Sequence, residues 1–422
     1  MTFHSEPAGA GSNETTMNKP LSHLRVVDLS RILAGPWATQ NLADLGAEVI
    51  KIEKPGVGDD TRQMGPPFLA DERTGEDGDA AYFMSCNRGK KSVAVDFSDP
   101  RGQRIVRDLA RGADVFVENY KVGGLKKYGL DYDSLREINP QLVYCSVTGF
   151  GQTGPYKDRA GYDYLIQGMG GLMSVTGERD DLPGGGPQRA GVAVADLLAG
   201  MYATTAILAA VQHRDRGHGG QHIDISLLDC MVGSLVNQSM NYLVSGQVPQ
   251  RMGSGHPNIA PYAVYPAADG HLVLAVGNDT QFRRLCEAVG QAGVGSDPRF
   301  ATIADRVRNR AELDAWLVPV TRSRSLADWT SLLERAQVPG GPINRMDQVF
   351  ADEQVVARGM RAELRHPRYG RVPTVRNPMR FSATPLEPGS APPLLGEHTD
   401  EVLRSVGVTP EQLAALREAG VL

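Results

Sequence analysis

The sequence predicts an α/β protein. It has a large domain with a mostly parallel sheet and a smaller α+β domain. Three observations predict this. Short β-branched runs alternate with helix-like stretches through the first half, as repeated βα units do. Past Gln250 the pattern gives way to a Gly/Ser/Asn/Pro-rich stretch, a hairpin and a run of helices. The 422 residues suffice for two to three domains at roughly 150 residues each.

Residues 1–20, MTFHSEPAGAGSNETTMNKP, have no apolar core and read as a disordered arm, not a secretory signal. Residues 23–29 (HLRVVDL) make a strand, and 35–47 a helix opened by Gly35-Pro36. Residues 48–52 (EVIKI) and 91–97 (KSVAVDF) are the next strands. Asp99-Pro100 is a cap and first-turn pair for a helix through residue 110. Residues 114–118 and 141–147 are strands again. In the second half, residues 262–265 and 271–276 flank Asp269-Gly270, a hairpin signal. Helices follow near 280–289, 311–320 and 326–336. Thr409-Pro410-Glu411-Gln412 starts a last helix as a capping box, with Leu413 and Leu416 to dock it. The domains divide as 21–224, large; 225–335, small; and 336–422, a linker and C-terminal segment.

Composition excludes several classes. Lys plus Arg number 44 against 49 Asp plus Glu, a net charge of −5. A nucleic-acid partner, which wants a basic face, is not expected. Four dispersed cysteines (86, 145, 230 and 286) without CxxC spacing argue against zinc and disulfides, and for a reducing, cytoplasmic compartment. The longest apolar stretch, residues 197–211, falls short of the ~20 residues of a membrane span and reads as a buried helix. Walker, GxSxG and HExxH motifs are absent, and SRILAGPW stands where GxGxxG would follow the first strand. Gly168–Gly171 and Gly184–Gly186 read as turns. No metal is expected.

Two features carry chemistry. Basic residues cluster beside expected strand ends: Lys51 and Lys54; Arg88, Lys90 and Lys91; Lys121, Lys126 and Lys127. Such groups suit a polyphosphate or simply a solvated surface. Asp196 is the only charged residue in the run 190–211, AGVAVADLLAGMYATTAILAAV. It reads either as the N-cap of the following helix or as a nucleophile for an activated acyl group.

The ordered segments DLSRILAGPWATQNLADLGAEVIKIEKPGVGD (28–59), NRGKKSVAVD (87–96), VFVENY (115–120), SVTGFGQTGPYKDRAGYD (146–163), GVAVADLLAG (191–200), GQHIDISLLD (220–229), HPNIAPY (256–262) and PPLLGEHTDEVL (392–403) together resemble the class III coenzyme A transferases, the CaiB/BaiF family. They span nearly everything after residue 20. The resemblance implies a large Rossmann-like domain built from both chain ends, a small domain, and an interlocked homodimer. It gives Asp196 the nucleophile's role, through an aspartyl anhydride and an aspartyl-CoA thioester. Coenzyme A is then a substrate, and no prosthetic group is needed. CoA contacts fall on Arg31, Leu33, Lys54, Val95, Asn119, Tyr120 and Lys127, with Lys90 and Lys91 nearby. Tyr162 and Asp163 fall on an active-site loop. Gly253, Ser254 and Gly255 are candidates to bind an oxyanion through backbone amides, or form an ordinary loop.

Two positions depart from relatives of this kind. Leu33 stands where some transferases have glutamine, and Tyr162 where the racemase branch has histidine. A tyrosine, with a reference pKa near 10, is a poor base for α-proton removal, which favours CoA transfer over α-methylacyl-CoA racemisation. The segments around 161–177 and 191–204 look most like members moving CoA from succinyl-CoA to a short dicarboxylate such as glutarate. Formyl-CoA and other acid pairs remain open. Arg31, Arg159 and Arg189 are candidates for a second carboxylate.

Overall fold

A computed structural model describes residues 19–422; the expected N-terminal arm lies outside them, apart from Lys19 and Pro20. The chain forms two compact units. The first takes the residues up to Gly171, Ala190–Val236 and Gln354–Leu422; the second takes Leu172–Arg189 and Asn237–Glu353. The second unit is therefore discontinuous and longer than the stretch 225–335. Sequence periodicity could not assign residues 172–189 to it, because that segment is mostly turn.

The first unit is built on six parallel strands: β1 Arg25–Asp28, β2 Glu48–Glu53, β3 Lys90–Ala94, β4 Val115–Glu118, β5 Val143–Thr148 and β6 His222–Ser226. Their order is β3-β2-β1-β4-β5-β6, the order of a dinucleotide-binding sheet, whose switch point lies between β1 and β4. The first five fall where the βα alternation put them. The sixth was not read as a strand, since His222 and Asp224 break its apolar pattern. Side chains alternate between faces. Val27, Leu29, Ile50, Ile52, Val93 and Val95 share a core with Ile105, Val106 and Leu109 of helix Pro100–Arg111, and with Leu413 of the last helix. Both helices start as expected: Asp99 accepts from the Arg101 amide, and Thr409 and Gln412 form a complete capping box.

Helix α1 Ala34–Asp44 packs on the other face of the sheet; later in the chain come α2 Asp163–Met169 and α3 Val194–Asp215, packed on each other, α3 also on the sheet. α3 is 22 residues, longer than the expected apolar stretch, and by length and composition alone it could cross a membrane. It packs on α1, β5 and β6 instead, burying Ala195, Ala199, Ala203, Ile207 and Val211. The contact with α1 is close because Gly200 has no side chain. A Cβ there would stand 2.8 Å from the Ala34 carbonyl oxygen and 2.9 Å from the Trp37 ring.

That face also buries charge. Lys90 Nζ meets Asp28 Oδ2 at 3.0 Å and Lys51 Nζ meets Asp59 Oδ2 at 2.8 Å, all four side chains fully shielded. Burial would raise the Asp28 carboxyl, but Lys90 and Lys51 with the Ser30 and Thr39 hydroxyls hold it below its ordinary value. Arg88, equally buried, pairs with Asp44.

The second unit has a three-stranded antiparallel sheet, with His271–Ala275 central between Tyr262–Pro266 and Gly340–Pro342. The first two strands are the expected hairpin. Asp269 in its turn accepts from the Leu326 amide at 2.8 Å and so ties the hairpin to helix Leu326–Ala336. Phe282, Leu285, Leu313, Leu317 and Trp329 fill the core.

Lys90→Met leaves the Asp28 carboxylate buried without its partner. Urea unfolding of that variant is expected to lose about 3–5 kcal/mol. A loss below about 1 kcal/mol would mean that the pair is not holding the fold.

Candidate active site

The loops leaving β1 and β4 meet at the switch point, where open α/β sheets bind ligands. The Asn119 side chain stitches them together. It accepts from the Arg31 amide at 2.9 Å and donates to the Arg31 carbonyl at 2.7 Å. The Arg31 guanidinium lies 5.2 Å from the Tyr120 ring centroid and pairs with Asp60. Ile32 has φ +71, a left-handed conformation that a β-branched residue adopts only under constraint. Its amide donates to Asp59 at 3.3 Å. Glu118, at the end of β4, accepts from the Tyr120 amide at 2.7 Å. Burial pushes the Glu118 carboxyl up to about 7, even though Ser146 and the Tyr120 amide hydrogen-bond to it.

The structure brings Arg31, Asn119 and Tyr120 together. Lys54 and Lys127 are exposed on the loops after β2 and β4, Lys127 against the Tyr128 ring. Leu33 is buried at the head of α1 and Val95 in the sheet core. Lys90 is a correction. Its three ammonium protons go to Asp28, the Pro36 carbonyl and Asn87, so none is left for a phosphate. Lys91 is already balanced by Glu48 and Glu401. Lys51 and Arg88 are consumed in the same way. Sequence shows a charge but not its partner.

Asp196 sits in the first turn of α3. The N-cap is Ala193, which has no side-chain cap, so Asp196 is not the cap. Asp163 of α2 does that work, accepting from the Ala195 amide at 2.8 Å. Among the described residues none donates a hydrogen bond to the Asp196 carboxylate. Burial, and then the Asp163 charge, raise its pKa from 3.8 to about 7. Burial, and next Asp196 itself, push the nearby Tyr82 phenol up to about 12, keeping it protonated. Tyr162 is 71% exposed at the cap position of α2. Arg159 lies over the Tyr156 ring, 4.4 Å from its centroid. Tyr82, Glu118 and Gln167 were not singled out from the sequence. Gln167 stands four residues after Asp163 on one helix, a spacing that places them side by side.

In the second unit, the Gly253 amide donates to the Gly177 carbonyl at 3.1 Å and the Gly255 amide to the Met252 carbonyl at 2.9 Å. The Ser254 hydroxyl accepts from the Val264 amide. Both glycine amides are thus spent within the unit, and in this conformation they do not serve as oxyanion donors. Gly253 has φ +60, and a Cβ there would stand 3.0 Å from the Glu178 carboxylate. Among the described residues no group of three or more His, Cys, Asp or Glu is placed to hold a metal ion.

A family model, CoA-transferase family III, matches residues 21–399. The chain belongs to that family. It is a CoA-transferase, and CoA thioesters are its substrates. The transferase is 52% identical to "Succinate--glutarate CoA-transferase" of Agrobacterium fabrum over 384 residues, 91% of this chain and 95% of that one. It is 43% identical to "Succinyl-CoA:glutarate CoA-transferase" of Mus musculus, over 94% of this chain and 89% of that one. The crystal structure of a CaiB/BaiF family protein from Brucella suis, 51% identical, superposes with a TM-score of 0.81 over 92% of this chain and all of the other.

The Asp196 proton affinity gives a stability signature. Below about 4 both the folded and unfolded chains hold the proton. As pH rises through about 7 the fold must carry a charge it disfavours, so stability from this group is lost over that window. Asp196→Asn is expected to raise Tm at pH 8 by roughly 2–4 °C, a gain that vanishes below pH 4. An equal gain at both pH values would show that the carboxyl is not destabilised by its charge.

Proposed function

We propose that the transferase moves CoA from succinyl-CoA to a short dicarboxylate such as glutarate, with Asp196 as the covalent nucleophile. The observation that carries this is the Asp196 carboxylate: half-buried at the head of α3, among the described residues without a hydrogen-bond donor, and beside a second carboxylate. The names of the two relatives support the acid pair.

The steps balance as acyl transfers. An Asp196 oxygen attacks the thioester carbonyl, the C–S bond breaks and the CoA thiolate leaves a mixed anhydride. The thiolate attacks the Asp196 carbonyl of that anhydride, releasing succinate and leaving an aspartyl-CoA thioester. The acceptor carboxylate attacks this thioester and again expels the thiolate. The thiolate then takes the acceptor's acyl carbonyl, giving the new acyl-CoA and free Asp196. A thioester and a carboxylate enter and leave, so no energy source or redox step is required. Covalent catalysis divides one slow exchange into faster ones. Arg31, Asn119, Tyr120, Lys54 and Lys127 are proposed to hold the CoA handle. Tyr162 lines the loop beside Asp163, and Arg31, Arg159 or Arg189 would meet the second carboxylate.

The active form is proposed to be an interlocked homodimer. Exposed Tyr164, Leu165, Met169, Met201, Tyr202 and Val232 of the first unit supply an apolar surface for a second copy. Sedimentation equilibrium at micromolar concentration is expected to give twice the chain mass; a monomer would remove the dimer.

The purified protein, given succinyl-CoA and a panel of acids that includes glutarate, is expected to form the new CoA ester, read by mass spectrometry. Asp196→Ala is expected to lose at least 10³-fold in rate. A variant as active as the parent would remove Asp196 from the mechanism. No ester from any acid would remove the dicarboxylate reading.

A further inference from the structure

The segment that delivers Asp196 has no regular secondary structure of its own before α3 begins, yet two of its backbone groups, and the Ala195 amide in the first turn of α3, are tied to α2. The Gln167 Oε1 accepts from the Ala190 amide at 2.9 Å. Its Nε2 donates to the Val192 carbonyl at 3.3 Å and to Asp163 Oδ2 at 2.7 Å. The other Asp163 oxygen takes the Ala195 amide. Gln167 is fully buried. Its two amide protons and its carbonyl are all engaged, so it has one stable orientation. A buried glutamine satisfied on every side is costly to replace unless its partners go with it.

We propose that Gln167 is a positioning residue for the nucleophile. It sets the path of the strap 190–195 and at the same time aims the Asp163 carboxylate at the head of α3. This rests on the reading of Asp196 as nucleophile. The logic is electrostatic as well as steric. Gln167 donates to Asp163 and so holds its carboxylate in place. A fixed Asp163 charge near Asp196 raises the basicity of the attacking carboxylate. The residue touches neither substrate nor reacting atoms; it acts through Asp163 and the strap.

The consequence is a signature that simple loss of packing would not give. Gln167→Met keeps the length and removes both donors and the acceptor. Its kcat is expected to fall about 10²-fold, with KM for succinyl-CoA within about threefold, because the proposed CoA handle contacts lie on the β1, β2 and β4 loops. The acid limb of the kcat/KM profile should move to lower pH, since the Asp163 carboxylate is no longer held beside Asp196. Asp163→Asn should move the limb the same way. Gln167→Glu likewise removes the amide donor that holds Asp163 and should move the limb the same way. The assay is exchange of ¹³C-succinate into succinyl-CoA, which needs no knowledge of the acceptor. Aspartyl-CoA is trapped and located by mass spectrometry, and Tm and circular dichroism report folding.

An unmoved acid limb in Gln167→Met, whether kcat falls or not, overturns the proposal. So does a matched rise in KM with kcat unchanged. Where Gln167→Met does not fold, the Gln167→Glu and Asp163→Asn pair decides, and a limb that stays in place in either overturns it. Failure of the underlying reading looks different. Then Asp196→Ala still exchanges succinate, or the parent protein forms no adduct on Asp196, whatever the Gln167 variants do.

Discussion

The rest of the site depends on the buried ammonium of Lys90. Its three protons reach three different pieces of chain: the end of β1 at Asp28, the first turn of α1 at Pro36, and the approach to β3 at Asn87. Asp28 in turn receives the Ser30 amide and hydroxyl and the Thr39 hydroxyl. A buried ion pair contributes little net stability against an apolar replacement, because both charges lose water. What it supplies is geometry: only one arrangement of the turn between β1 and α1 satisfies every partner. Lys51 repeats the device from β2, holding the Ser30 carbonyl at 2.8 Å and the Asp59 carboxylate. Asp59 then has its carboxyl held down at about 2: burial opposes this, and Lys51 and the Thr61 contacts outweigh it. It can therefore accept from the strained Ile32 amide across the working pH range.

From that turn two consequences follow. Arg31 is presented at the switch point with both backbone groups held by Asn119, so the loops after β1 and β4 behave as one surface. And α1 starts at a fixed place, directly after Leu33. α3 packs on that start through Gly200, one helical turn beyond Asp196. The helix of the proposed nucleophile and the turn that would carry the CoA handle are thus pinned at a single close contact. The strap before Asp196 is pinned independently by α2. An acyl-transfer site needs its nucleophile and its substrate handle placed to within fractions of an ångström. Here each has its own anchor, and the anchors share the α1–α3 contact.

Much of this was legible in the sequence because it follows local rules. Alternation of β-branched runs with capped helices located five of the six strands. Asp99-Pro100 and Thr409-Pro410 marked helix starts correctly, and a lone charge in an apolar run singled out Asp196, the proposed nucleophile. The failures share a cause. Lys90, Lys51 and Arg88 were read as open cations beside strand ends, and each is neutralised by a carboxylate distant in sequence. Gly253 and Gly255 were read as oxyanion donors or as an ordinary loop, and their amides go to the Gly177 and Met252 carbonyls. Residues 172–189 join the second unit through contacts that no periodicity records. Asp196 looked as much like a helix cap as a nucleophile until Asp163, thirty-odd residues earlier, was seen to do the capping.

That division of labour between two aspartates bears on reactivity. A carboxylate is a weak nucleophile when well solvated or well hydrogen-bonded. Asp163 is bonded to the Gln167 side-chain amide and the Ala195 backbone amide. Asp196 is denied such partners, and burial and its neighbour's charge make its ionised form reluctant and basic. Greater basicity strengthens attack on a thioester carbonyl, but a proton affinity far above ambient pH would leave too little of the anion. A value near 7 keeps about half of the groups ionised at neutrality while retaining the gain in basicity. On the proposed mechanism, once the acyl group is on Asp196 its charge is gone, and the repulsion from Asp163 goes with it. The same pair that costs the free enzyme stability would therefore favour the proposed covalent intermediate over the ground state. Removing that repulsion would be expected to steady the fold and to slow the reaction together.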